Sequence, residues 1–135
     1  MEQRTTRRER LDQISNRVIG AALNVHRELG PGMLEGAYKA CLMFELLDQG
    51  LEVEREKALP ITYRGHRLDC GYRLDLLVDN SIVVEVKAVA RLDPVHFAQV
   101  LSYLRQTRLS LGLLINFNVR WLRDGVRRIV NGFPE

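Results

Sequence analysis

The sequence predicts an α/β fold in which helices flank a central mixed β-sheet, and three stretches carry that prediction. Early in the chain, Leu11, Ile14, Val18, Ala22, Val25 and Leu29 recur in steps of three and four, the spacing of one helix face. In the middle, residues 71–88 hold two apolar, β-branched runs around Asp79-Asn80-Ser81, the pattern of an antiparallel hairpin. Further on, Asp93-Pro94 opens a helix that leads into the unbroken apolar run 111–117. A helical crossover lays that buried strand parallel to a strand of the hairpin. The expected order is α-α-β-β-β-α-β with a C-terminal β-hairpin.

A chain of 135 residues has the size of one domain, so recognition of any partner falls to that domain or to another chain. Residues 1–10 form a polar tail and 11–135 the domain. With 46% hydrophobic and 27% charged residues, the composition is that of a soluble globular protein. No apolar run is long enough to span a bilayer, and the Arg-rich start lacks the apolar region of a secretory signal, so a cytoplasmic location is expected. Cys41 and Cys70 lack any paired-motif spacing and are expected as buried or half-buried thiols without a disulfide. A net charge of +3 permits nucleic-acid binding without requiring it.

The tail carries Arg4, Arg7, Arg8 and Arg10 and is either a solvated terminus or an arm that follows phosphates. Gly30-Pro31-Gly32 ends the first helix, and His26 beside its apolar stripe is expected at the surface or the helix end. A second helix covers 34–49, with Gly50 as a left-handed stop. Leu42, Phe44, Leu46 and Leu47 are its core residues. Glu35 lies in its first turn, where the helix dipole favours an anion by about 0.3–1 kcal/mol. Residues 52–58 alternate as a strand, Pro60 interrupts, 61–63 resume, and 64–67 turn with His66 among basic neighbours.

In the third helix Phe97, Val100, Leu101 and Leu104 give the buried stripe, while Gln99 and Tyr103, four apart, share another face. That face is either a solvated side or part of a site, with His96 a weaker candidate. At the C-terminus, 119–123 and 126–130 flank Asp124-Gly125, a strong hairpin turn. Arg120, Arg123, Arg127 and Arg128 around Trp121 make either a basic platform for a nucleic-acid strand or an edge kept soluble by charge.

The central hairpin puts charge where a strand is otherwise apolar. Side chains alternate along a strand, so Glu85 and Lys87 share one face and Val84 and Val86 the other. Pairing Val78 with Ile82 around the three-residue loop brings Asp75 opposite Glu85. Facing carboxylates repel by about 0.2–1 kcal/mol, more where water is excluded. Lys87 alone can offset this as part of a solvated cluster on the sheet's outer face. The other reading is a hard divalent cation, since Mg²⁺ takes one or two carboxylates with carbonyl oxygen and water and leaves positions open for phosphate.

Asp75 on one strand followed by Glu85-Val86-Lys87 on the next resembles the core of the PD-(D/E)XK nuclease superfamily. Gly32-Met33-Leu34-Glu35-Gly36-Ala37-Tyr38 resembles the signature that names the GxxExxY family within it. Gln99-Val100-Leu101-Ser102-Tyr103 is similar to the Gln-xxx-Tyr helix motif of some nuclease branches. The resemblance runs from about Ile14 to Ile129, and four motifs in this order are far more specific than any one. Leu74 stands where the superfamily's eponymous Pro precedes the Asp.

The resemblance implies a restriction-endonuclease-like core and a nuclease that hydrolyses phosphodiester bonds with Mg²⁺, or Mn²⁺ in its place, on DNA in preference to RNA. It assigns the metal to Asp75, Glu85 and the Val86 carbonyl. Glu35 adds a third acid, as a direct ligand or through water, with Tyr38 in support. Lys87 orients water and stabilises charge, since an amine with a pKa near 10.4 is a poor base. Gln99 reaches water or a phosphate oxygen, with Tyr103 beside it. A core this small gains grip on a duplex by pairing with a second copy, which makes a homodimer compatible with the reading. The alternative is a catalytically inactive nucleic-acid-binding or complex-assembly protein that keeps the fold.

Overall fold

Helix α1 (Arg7–Leu29) begins four residues before its apolar stripe, because Thr6 caps it: the Thr6 hydroxyl accepts from Glu9 N–H and the Glu9 carboxylate accepts from Thr6 N–H. Residues 7–10, expected as tail, are thus its first turn. The computed structural model describes residues 4–134, so the first three tail residues lie outside the described part. Helix α2 (Glu35–Asp48) follows the Gly30-Pro31-Gly32 break. Next come β1 (Val53–Ala58), a separate small hairpin of β2 (Ile61–Tyr63) and β3 (His66–Leu68), and then β4 (Arg73–Val78) and β5 (Ile82–Lys87). Helix α3 (Pro94–Thr107) crosses to β6 (Leu111–Asn116), and β7 (Val126–Val130) ends the sheet.

The main sheet has the order β1-β4-β5-β6-β7, with β5 and β6 parallel and the other neighbours antiparallel. Val78 pairs with Ile82, the expected register, and Asp79 and Asn80 take the left-handed conformation the tight turn needs. Helices α1 and α2 cover one face, where Val18, Leu42 and Leu46 join Leu76, Val84, Val86 and Leu113. Helix α3 covers the other with Val100 and Leu104 against Leu77, Val83 and Leu114. It lies so close that a Cβ on Gly112 of β6 would stand 2.6 Å from the Val100 side chain. Among the described residues no helix is long and apolar enough to cross a membrane.

Three expectations need correction. The C-terminal hairpin does not form on itself: residues 119–123 run through a loop into a short 3₁₀ helix (Leu122–Asp124), and β7 pairs with β6. Strand β6 is buried throughout and its outer backbone edge needs hydrogen-bond partners, which β7 supplies. Gly125 permits the join, since a Cβ there would run into the Asn116 carbonyl. Secondly, Phe44 and Leu47 are exposed, because the buried stripe of α2 runs Tyr38, Leu42, Leu46 in steps of four. Cys41, off that stripe, and Cys70, in the loop before β4, are both exposed free thiols.

Tyr38 is fully buried, its ring stacked on Phe117 with centroids 4.7 Å apart. Its hydroxyl donates to Gly30 O at 2.5 Å and accepts from Met33 N–H at 3.0 Å, so it clamps the α1–α2 loop. The side chain expected to support Glu35 therefore has its polar atom committed to backbone. Tyr38→Phe is expected to lower stability by about 1–2 kcal/mol and Tyr38→Ala by about 3–5 kcal/mol, read from urea unfolding.

Candidate active site

Strands β4 and β5 pair from Val78↔Ile82 to Leu76↔Val84, and there the ladder stops. Beyond that point side chains take over the backbone bonds. Asp75 N–H donates to the Glu85 carboxylate at 3.1 Å, and Val86 N–H donates to the Asp75 carboxylate at 2.8 Å. The two acids fill a fork between the splayed strands. Alternation along β4 breaks at the same place: Leu76 and Val78 pack toward α1 and α2, whereas Leu74 packs toward α3 with Leu77. Asp75 sits at that switch.

Asp75 and Glu85 are 7% and 5% exposed, so their repulsion is not dispersed by solvent. Burial, and after it the negative charge of Asp75, pushes the Glu85 carboxyl up to about 8, against the opposing pull of the Asp75 N–H and the Lys87 ammonium. Lys87 is half-buried, two residues along the same strand and on the same side as Glu85. The Lys87 carbonyl accepts from Phe117 N–H on the β6 side, so alternation of the backbone turns the Val86 carbonyl toward β4 and into the fork.

Sequence reasoning missed Lys39. From α2 its ammonium lies 2.9 Å from Asp75 and 2.7 Å from Glu56. Burial works to lower its pKa, and the hydrogen bonds and charges of Glu56 and Asp75 outweigh it and hold the amine above its usual value. The Glu56 backbone is left-handed (φ 53°), which breaks the simple alternation expected for its strand, and its exposed side chain meets Lys39 at the surface. A signal was available: Lys39 is four residues after Glu35 and so shares its helix face.

Glu35 is half-buried at the start of α2. Among the described residues no group of three or more carboxylates, histidines or cysteines is close enough to hold a metal, so Glu35 does not close with Asp75 and Glu85 into a three-acid cluster. On α3, Gln99 is exposed and Tyr103 half-buried, and both line one cavity with Tyr72. Burial raises the Tyr103 pKa, as do the charges of Glu85, Tyr72 and Asp75, which ties this cavity to the fork. His96 caps α3, its Nδ1 accepting from Asp93 N–H at 3.0 Å. His26 bonds the Val119 carbonyl at 2.7 Å, and His66 is exposed on β3.

The expected basic platform is divided. Arg128 pairs with Asp12 of α1 at 2.8 Å, while Arg127, next to it on β7, points to the opposite face and bonds the Asp124 and Val126 carbonyls. Trp121 is 55% exposed with the Arg120 guanidinium 5.1 Å from its ring centroid, and Arg123 is exposed nearby in the chain. Arg120, Trp121 and Arg123 lie in the connection after β6, at the same end of the parallel strands as Glu85 and Lys87. Asn116, also missed, grips the segment after β5 by accepting from Val89 N–H and donating to Val89 O.

An acid on one strand, a Glu-x-Lys on the next and their meeting in a fork agree with the comparison of the whole chain. A family model described as the PD-(D/E)XK nuclease superfamily matches residues 12–129. The chain belongs to the PD-(D/E)XK nuclease superfamily. No curated protein and no solved structure matches it.

The raised Glu85 pKa has a measurable consequence. In chelator the folded protein binds a proton at Glu85 that the unfolded chain releases near pH 4.5, so the Glu85 contribution to stability is fully present below about pH 4.5 and is lost as pH rises toward about 8. Glu85→Gln is expected to flatten that decline and to stabilise the metal-free protein at pH 8 by a few kcal/mol, on the order set by the shift. Urea midpoints of both proteins between pH 5 and 9 check it, and parallel curves would refute it.

Proposed function

We propose that this superfamily member is a divalent-metal-dependent nuclease, with Mg²⁺ as the physiological ion, Mn²⁺ as a substitute, and DNA as the substrate. The observation that carries the reading is the fork, where two buried carboxylates face each other with a carbonyl and an ammonium beside them. The donor set is all oxygen and suits a hard cation, and Mg²⁺ needs no more than one or two carboxylates when water and phosphate complete its shell. Asp75, Glu85 and the Val86 carbonyl would hold it. When bound, such a cation neutralises phosphate charge and makes water a better nucleophile at neutral pH.

The chain's own groups do the rest. Lys87 places a positive charge beside Glu85, suited to a phosphate oxygen or to the charge that develops as the bond breaks. Gln99, exposed on α3, can donate to a phosphate oxygen, and Tyr103 stands beside it. Glu35, outside the two-acid cluster, acts through water, which keeps the GxxExxY signature in the same site. Arg120, Trp121 and Arg123 extend the contact along the strand, with Arg127 at the sheet edge and Arg128 as a secondary contact. The two exposed free thiols are in keeping with a reducing, cytoplasmic setting.

Lys39 holds Asp75 in the metal-free state and competes with the cation for it. Lys39→Met is therefore expected to destabilise the metal-free protein and to tighten Mn²⁺ binding several-fold, measured by calorimetric titration; unchanged or weaker binding would remove Lys39 from that role.

The reading itself is tested with labelled single- and double-stranded DNA and RNA in Mg²⁺, Mn²⁺ or chelator. Metal-dependent cutting is expected, reduced by about 100-fold or more in both Asp75→Ala and Lys87→Ala. Binding without cutting in any metal, unaffected by either change, would select a non-catalytic scaffold.

A further inference from the structure

Between α3 and the segment that leads from β1 into β2 lies a cavity of about 220 Å³, whose lining includes Tyr72, three residues before Asp75 in the chain. Leu59 and Ile61 give it an apolar lining, Tyr72 and Tyr103 two aromatic rings, and Gln99 and Gln106 two side-chain amides. Gln99, Tyr103 and Gln106 stand at i, i+4 and i+7 on one face of α3, so the cavity is built along a single helix side. Tyr72 comes from a different part of the chain, three residues before Asp75, and is 46% exposed. Apolar walls, aromatic faces and a few amides are what a flat heteroaromatic ring with polar edges requires.

We propose that this cavity receives a nucleobase of the strand being cut, next to the phosphate held in the fork, so that the substrate is unpaired at that position. The inference rests on the nuclease reading above and names its substrate class. A base reaches the backbone through one sugar, so a phosphate beside Asp75 and Glu85 brings a neighbouring base within range of Tyr72 and Tyr103. In a duplex that base is stacked on both faces and paired along its edge, and it cannot enter a side cavity without leaving the helix. Aromatic stacking accepts any base, and the Gln106 amide can bond to a base edge as donor or acceptor while Gln99 is left to the phosphate.

The test uses single-stranded oligodeoxynucleotides with 2-aminopurine at successive positions, bound in Ca²⁺ to block cutting, with binding followed separately by anisotropy of an end label. Quenching at one position is expected for the wild type and for Tyr72→Phe, and its loss in Tyr72→Leu while the strand still binds. In Mg²⁺ the wild type should cut single strands at least about ten-fold faster than duplex, and Tyr72→Leu should erase most of that preference. A bound strand with no quenched position, or quenching unchanged in Tyr72→Leu, would overturn the pocket. Cutting that needs metal and Asp75 but ignores pairing would overturn the pocket and leave the nuclease reading standing. Quenching that depends on Tyr72 with no cutting in any metal would do the reverse.

Discussion

The structure depends on a ladder that stops early. A β-sheet satisfies its backbone by continuous pairing, and a strand that peels away leaves donors without partners in a region water hardly reaches. Here the carboxylates of Asp75 and Glu85 accept those donors, each from the other side of the fork. One arrangement thus answers two demands, because the groups that stabilise the splayed backbone are also fixed in position and forced close together. Burial and the Asp75 charge keep a proton on Glu85 in the metal-free protein, and the pair retains unspent affinity for a cation that can displace it. Lys39 meets part of it in the metal-free protein and Lys87 another part.

The surrounding layers fix the fork's geometry from both faces of the sheet. On one side Tyr38, locked between Phe117 and the Gly30 and Met33 backbone, sets the start of α2 and with it the helix turn that carries Lys39 to Asp75. On the other side Gly112 lets α3 sit close on β6, which brings Tyr103 near the acids. Asn116 holds the segment that leaves β5 by bonding both polar groups of Val89. Each contact is a packing or backbone-satisfaction device that acts on the site only by position.

Much of this was legible in the chain. Helical spacing gave α1 and α3, the three-residue loop gave the β4–β5 register, and charged side chains among Val and Ile marked Asp75, Glu85 and Lys87 as unusual. Lys39 was hidden because a lysine on an amphipathic helix has the signature of a solvated residue, and its partner is far along the chain. Phe44 and Leu47 were misplaced because hydrophobicity alone does not say which of two apolar stripes faces the sheet. The last hairpin failed for a related reason: Asp124-Gly125 is a turn signal in itself, and local sequence does not reveal that β6 offers an open edge nearby.

Alternation, turn chemistry and helix periodicity are properties of neighbours in sequence, and by themselves they determined the helices, the register of the central hairpin and the unusual placing of Asp75, Glu85 and Lys87 among apolar strand residues. What the tertiary structure alone decided is how those groups are shared out: that the acids bridge a fork instead of facing each other from a flat ladder, that Lys39 and Glu56 join them, and that Tyr38 turns inward. These outcomes depend on where unpaired backbone groups and buried charges find partners, and those partners come from distant segments that only packing brings together.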